Sequence, residues 1–180
     1  MKKIVAASLV FGWLAAAAAA PAWARDQKVT FSLNAGVQTN IFLNTSRAGL
    51  AGYHRAFDQA LFTLDARVGL LVGRSFQISP EVMVVMRYLR AFGSDGLGTM
   101  LYPGVLLNYR TRNFFAGIGA VLPWAFVGGA SDTGNPAPKI NVGYTFSNGI
   151  QVTAYYLTWT ESGLRLFDIG FAGVTIGYRF

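Results

Sequence analysis

The chain carries one histidine, His54, so any nucleophilic chemistry that needs an imidazole base would have to use it. Ser94 and Asp95 stand side by side in a later glycine-bearing stretch, completing a set of hydroxyl, imidazole and carboxylate. Such a set performs acyl transfer when the imidazole takes the hydroxyl proton and the carboxylate holds the imidazole in place. Serine and aspartate are also ordinary turn residues, chosen for their local hydrogen bonds to the backbone. The expectation is therefore a protein that is not an enzyme, with His54, Ser94 and Asp95 as the residues a catalytic reading would use. There is no cysteine, which excludes disulfides and Cys-based zinc sites. No metal or cofactor is expected.

A second set of charges has a different look. Asp65 and Arg67 alternate with Leu64, Ala66 and Val68, and Glu81 and Arg87 alternate with Val82, Val84 and Met86. Period-two alternation puts all four charges on the polar faces of two strands. Gly73-Arg74-Ser75 lies between them, and a three-residue hairpin there pairs residues whose numbers sum to 148. Arg67 then faces Glu81 as a cross-strand ion pair. The favoured reading is a structural plug in which paired charges satisfy one another, as buried charges must. The sharper alternative is a proton or ion path. Lys139 and Glu161 are expected on the same polar face at a greater height.

The elements that would position these charges are strands throughout. In residues 29–38 the odd positions Val29, Phe31, Leu33, Ala35 and Val37 are apolar and the even ones small or polar. Residues 60–72 and 76–88 repeat the pattern, and further strands are expected at 99–110, 114–126, 139–146, 150–160 and about 166–180. Three tight turns, at 73–75, 111–113 and 147–149, recur 38 and then 36 residues apart, the length of one up-and-down strand pair plus a loop. Longer connections are expected at about 40–58, 91–98 and 127–138. Pro80, Pro103 and Pro123 interrupt strands that cannot use them as ladder donors. The turn at 111–113 brings Pro103 and Pro123 to similar heights, which suggests either β-bulges or a gap in the wall.

Composition decides what kind of sheet this is. Hydrophobic residues make up 53% and charged residues 13% of the chain, against about 25% charged in soluble domains. Past the first two dozen residues there is no apolar run of the roughly 20 residues that a spanning helix needs. Backbone groups in lipid must pair internally, so a spanning sheet must close into a barrel. Lys2, Lys3, the uncharged stretch 4–20 and the small-x-small sequence Ala22-Trp23-Ala24 read as an export signal. The expected division is a cleaved signal at 1–24 and an all-β, eight-stranded, antiparallel up-and-down transmembrane barrel at 25–180. Losing Lys2 and Lys3 lowers the net charge from +7 to +5. Outward aromatics should form two girdles: Phe31, Phe76, Tyr109, Phe114, Phe146, Tyr178 and Phe180 at one rim, and Tyr88, Trp124, Phe126 and Tyr156 at the other.

The ending Val174-Thr175-Ile176-Gly177-Tyr178-Arg179-Phe180 resembles the C-terminal assembly signal of bacterial outer-membrane barrels, with Ile176, Tyr178 and Phe180 as its apolar positions. By pattern, the whole of 25–180 resembles small eight-stranded outer-membrane barrels of the OmpA, OmpX and OmpW type. That resemblance implies a bacterial outer-membrane location, a monomer, delivery by the barrel-assembly machinery, and a structural or interaction role. The chain departs from full-length OmpA in that nothing follows the last strand, so the peptidoglycan-binding domain of that protein is expected to be absent. OmpW-like barrels suggest a transport alternative, with a lateral opening at Pro103 and Pro123 that passes small apolar molecules. The lipid A palmitoyltransferase barrel draws His, Asp and Ser from its outer rim, which makes lipid A acyl chemistry at His54, Ser94 and Asp95 the enzyme alternative. The local sequence departs from that enzyme, and the His-x-Ser motif of the deacylase barrel is replaced here by His54-Arg55-Ala56. Arg47, Arg55 and Arg90 lie in or beside the long loops and carry guanidinium forks suited to lipopolysaccharide phosphates. Nucleic acid is not an expected partner.

Overall fold

The computed structural model describes residues 29–41, 61–89, 96–127, 130–159 and 169–180. They form β1 (Val29–Ile41), β2 (Leu61–Val72), β3 (Phe76–Leu89), β4 (Gly96–Arg110), β5 (Phe114–Val121), β6 (Trp124–Val127), β7 (Ala130–Thr133), β8 (Ala137–Thr145), β9 (Ile150–Trp159) and β10 (Ile169–Arg179). Every ladder is antiparallel, and β3 pairs with β4 while β1 pairs with β10, so the sheet closes on itself. β5 and β6 both pair with β4, at its two ends, and are two halves of one wall strand. β7 and β8 divide the next wall strand in the same way. The wall is an eight-stranded up-and-down barrel. Among the described residues no helix is long and apolar enough to cross a membrane.

Alternation sets which side chains go where. Along β2, Thr63, Asp65 and Arg67 are buried, while Phe62, Leu64 and Leu70 are exposed. The same inversion runs round the barrel, with Val37, Val105, Ile118, Ile140 and Ile176 more than half exposed. Polar residues inside and aliphatic residues outside is the reverse of a soluble core, and it suits a wall whose solvent is lipid. The outward rings sort by height. At the turn end Phe31 stacks on Phe180 at 5.9 Å, Phe76 meets Tyr109 at 5.7 Å and Tyr144 meets Phe146 at 5.0 Å. Trp124 and Phe126, 5.1 Å apart, mark the wall nearer the loop end.

The three short turns fall at 73–75, 111–113 and 147–149. Gly73 and Gly149 have φ of 72° and 88°, the left-handed region that glycine enters without steric cost. In the middle turn the Thr111 hydroxyl accepts from the Phe114 N–H at 3.1 Å and replaces a backbone partner. At the seam, the Phe180 N–H donates to the Phe31 carbonyl at 2.8 Å.

The segment at 127–138, read from sequence as a loop, is largely strand. β6 and β7 form a hairpin with Val127 opposite Ala130, and β8 begins at Ala137. The missed signal is Gly128-Gly129, a two-residue hairpin dipeptide following the alternating Trp124-Ala125-Phe126-Val127. The proline reading also changes. Pro80 and Pro103 lie inside continuous strands β3 and β4, and only Pro123 sits at a break, between β5 and β6. The strand expected at 166–180 starts, among the described residues, at Ile169.

Two inward glycines seat aromatic rings of the lumen. A Cβ on Gly173 would run into the Tyr155 ring, and one on Gly143 into the Phe115 ring. Small-to-large changes in a packed interior cost about 1–3 kcal/mol. Gly173→Val and Gly143→Val are expected to lose that much in urea unfolding of vesicle-embedded protein, whereas valine at the open position Gly134 should cost less.

Candidate functional site

The lumen has three layers. At mid-height Arg67 of β2 reaches Asp65 two residues away on its own strand, and Glu81 opposite it on β3. Its Nη2 lies 2.9 Å from Asp65 Oδ2 and 3.2 Å from Glu81 Oε2. Lys139 of β8 enters from another wall and places Nζ 2.6 Å from Glu81 Oε1. Asn34 of β1 donates to Asp65 Oδ2 at 3.3 Å. Two cations and two carboxylates thus form one neutral belt. All four are almost fully buried, with Arg67 at 6% and Lys139 at 1% exposure. Rings complete their surroundings: Tyr155 lies 4.8 Å from the Lys139 ammonium, and Phe115 lies 6.0 Å from the Arg67 guanidinium.

Above the belt, toward the loop end, the lumen is apolar. Leu61, Met83, Val85, Met100, Tyr102, Val121, Leu157 and Phe171 pack into one buried cluster. Alternation cannot reveal this layer, because Met83, Val85, Tyr102 and Phe171 belong to runs apolar on both faces. The strand pattern weakens there and the pore fills with bulk.

Below the belt, at the turn end, the lining is polar: Thr30, Ser32, Gln77, Asn108, Gln151, Arg110 and Arg179 surround a narrow cleft beneath Arg67 and Phe115. Gln77 joins β1 to β4, donating to Thr30 Oγ1 at 2.9 Å and accepting from Arg110 at 3.3 Å. Asn108 donates to Ser79 Oγ at 2.8 Å.

The residues singled out from sequence are distributed as follows. Asp65, Arg67 and Glu81 come together, and Arg67 and Glu81 are register partners. Lys139, expected higher in the lumen, instead stands beside Glu81, because β8 rises next to β5 and brings a residue 58 positions away to the belt. Arg110, at the end of β4 beside the 111–113 turn, lines the cleft. Arg87 is a β3 residue opposite Gly98, and its side chain lies outside the described set. His54, Ser94, Asp95, Arg47, Arg55, Arg90 and Glu161 lie outside the described residues, as does the signal segment. Among the described residues no cluster of His, Cys, Asp or Glu could hold a metal.

Pro103 and Pro123 sit at the junction of β4 with β5 and β6. The Leu122 N–H donates to the Pro103 carbonyl at 2.8 Å, and the Gly134 N–H to the Pro123 carbonyl at 2.9 Å. Gly104 faces Val121 below the junction and Leu101 faces Trp124 above it, in unchanged register. On the other side of β5 and β6 the count slips by one residue between Gly134 and Ala137, which makes Asn135-Pro136 a bulge. Ile176, Tyr178 and Phe180 project outward from β10 and its end, each more than two-fifths exposed.

No family model matches the chain, and no curated protein does. Similarity appears in three dimensions. The crystal structure of Neisserial surface protein A superposes with a TM-score of 0.52 at 9% identity, covering 84% of this chain and 96% of that one. The N-terminal β-barrel domain of Pseudomonas aeruginosa OprF gives 0.51 at 11% identity, covering 84% and 97%. Identities this low speak to fold alone. That fold, a small closed eight-stranded antiparallel barrel, is the one this chain has.

Proposed function

We propose that this protein is an integral barrel of a bacterial outer membrane with a lumen closed by its own side chains, serving a structural or interaction role. The observation that carries the reading is the stacking of the buried, neutral four-charge belt under an apolar layer. Eight strands enclose a space just wide enough for side chains. An ion moving along the axis would have to break the belt and then cross a region with few polar partners. The short turns then face the periplasm and the long connections the outside. Partners under this reading are lipopolysaccharide, through Arg47, Arg55 and Arg90, and the barrel-assembly machinery, through the apolar positions Ile176, Tyr178 and Phe180.

Catalysis at His54, Ser94 and Asp95 is not part of the proposal, and neither is a lateral route at Pro103 and Pro123. Refolded protein in planar bilayers at 1 M salt is the test. The expected record has no stepwise conductance above that of bare lipid. Reproducible steps of uniform size that change when Glu81 or Lys139 is replaced would overturn the closed-lumen reading.

A further inference from the structure

The cleft at the turn end has an unbalanced charge. Arg110 and Arg179 both line it, and no acidic residue does. Arg67, at its roof, is already engaged by Asp65 and Glu81. The described residues include one further acid, Asp132, in β7 on the loop-end half of the wall, on a rung with Ala125 and Met100. Arg74 and Arg112 in the neighbouring turns add two more cations at the same end. Neither Arg110 nor Arg179 makes an ion pair among the described residues. Arg110 has the side-chain oxygen of Gln77 at 3.3 Å, and Arg179 Nη1 is buried with no hydrogen-bond partner there.

Position strengthens the case. β4 and β10 lie four places apart in the ring of eight wall strands, so Arg110 and Arg179 reach into the cleft from opposite walls. Two guanidinium groups directed into one partly desolvated mouth repel each other unless an anion lies between them. Thr30, Ser32, Gln151 and Asn108 supply neutral hydroxyl and amide groups around the same space. The lumen above the mouth is filled by the belt, so a ligand enters from the turn end and stays there.

We propose that this mouth is a binding site for a phosphate-type oxyanion, held between Arg110 and Arg179. Arginine forks match the spacing of phosphate oxygens, and charge-assisted bonds of this kind are the stronger class. The cleft is narrow, so the bound group inserts an oxygen edge and keeps the rest of the ligand at the opening. A free phosphate and the phosphodiester of a lipid headgroup share this chemistry.

The test is titration calorimetry on the refolded chain in a phosphate-free nonionic detergent, with inorganic phosphate in one arm and glycerophosphoglycerol in the other. Saturable binding in either arm is expected and assigns the source. Arg110→Gln and Arg179→Gln should each weaken it about tenfold or more, the worth of one charge-assisted bond. Arg179→Lys, which keeps the charge and loses the fork, should fall between. Arg74→Gln, at an exposed turn position, should change affinity less than threefold. A heat-modifiability gel shift confirms that each variant is folded. Absence of saturable binding in both arms, or equal weakening by Arg74→Gln, would overturn the site.

Discussion

Arg67→Met is expected to destabilise the barrel by about 3–5 kcal/mol, because it removes one partner from a buried charge network. Among the described residues Arg67 is the one cation bonded to Asp65, whose other contact there is the amide of Asn34. Methionine fills much of the arginine volume, so the loss reports charge rather than a cavity. Glu81 keeps Lys139 at 2.6 Å and is not stranded. The prediction therefore includes a rescue: adding Asp65→Asn should recover on the order of half the loss, since a neutral amide no longer needs a counter-charge. Urea unfolding in vesicles, followed by tryptophan fluorescence, measures both terms. A single-variant cost below about 1 kcal/mol, or no recovery in the double variant, would mean that the belt is not one coupled unit.

Ile118→Arg carries the second large effect, from the other face of the wall. Ile118 of β5 is 62% exposed, faces Ile140 of β8 and sits five residues above the 111–113 turn. With a rise of about 3.3 Å per residue and a tilt of about 40°, that is close to the middle of a roughly 25 Å apolar band. An arginine there is expected to cost about 2–4 kcal/mol, against about 0–1 near the interface. Phe114→Arg, one residue from the same turn, is the matched control, although it also removes a girdle ring. Unfolding in thin- and thick-chain lipids should separate the two positions. Equal costs would mean that the aliphatic belt does not lie across a bilayer core.

The contrast between these faces also explains how much could be read from the chain. Where polar and apolar residues alternate cleanly, as in β1, β2 and the end of β10, faces and register follow directly, and the sum rule across 73–75 places Arg67 opposite Glu81. Where both faces are apolar, the period carries no information. Met83, Val85, Tyr102 and Phe171 look like any hydrophobic strand, so the apolar layer that caps the belt is invisible before the strands close. Lys139 illustrates a different limit. Its face was legible, but its partner lies 58 residues away on a strand that is not its neighbour, and the successive registers of β3 with β4, β4 with β5 and β5 with β8 set their relative height. The arginine-lined mouth was obscured for a related reason. Arg110 and Arg179 are far apart in sequence, and each alone looks like a cation keeping a strand end in water.

The seam between β1 and β10 has a consequence for the order of the strands in the chain. Val29 begins the first strand and Phe180 follows the last, and these strands are ladder partners with Phe31 bonded to Phe180. The two ends of the barrel chain therefore meet, the arrangement that tolerates circular permutation. A short linker across this seam and a new opening at 73–75 would leave every ladder pairing in place, and the folded wall would be the same object. The chain would then end on β2, and Phe180 would no longer be terminal. Such a permutant would separate two properties that coincide in the natural order: the set of pairings that defines the wall, which does not depend on where the chain is cut, and the order in which the strands become available to pair, which does.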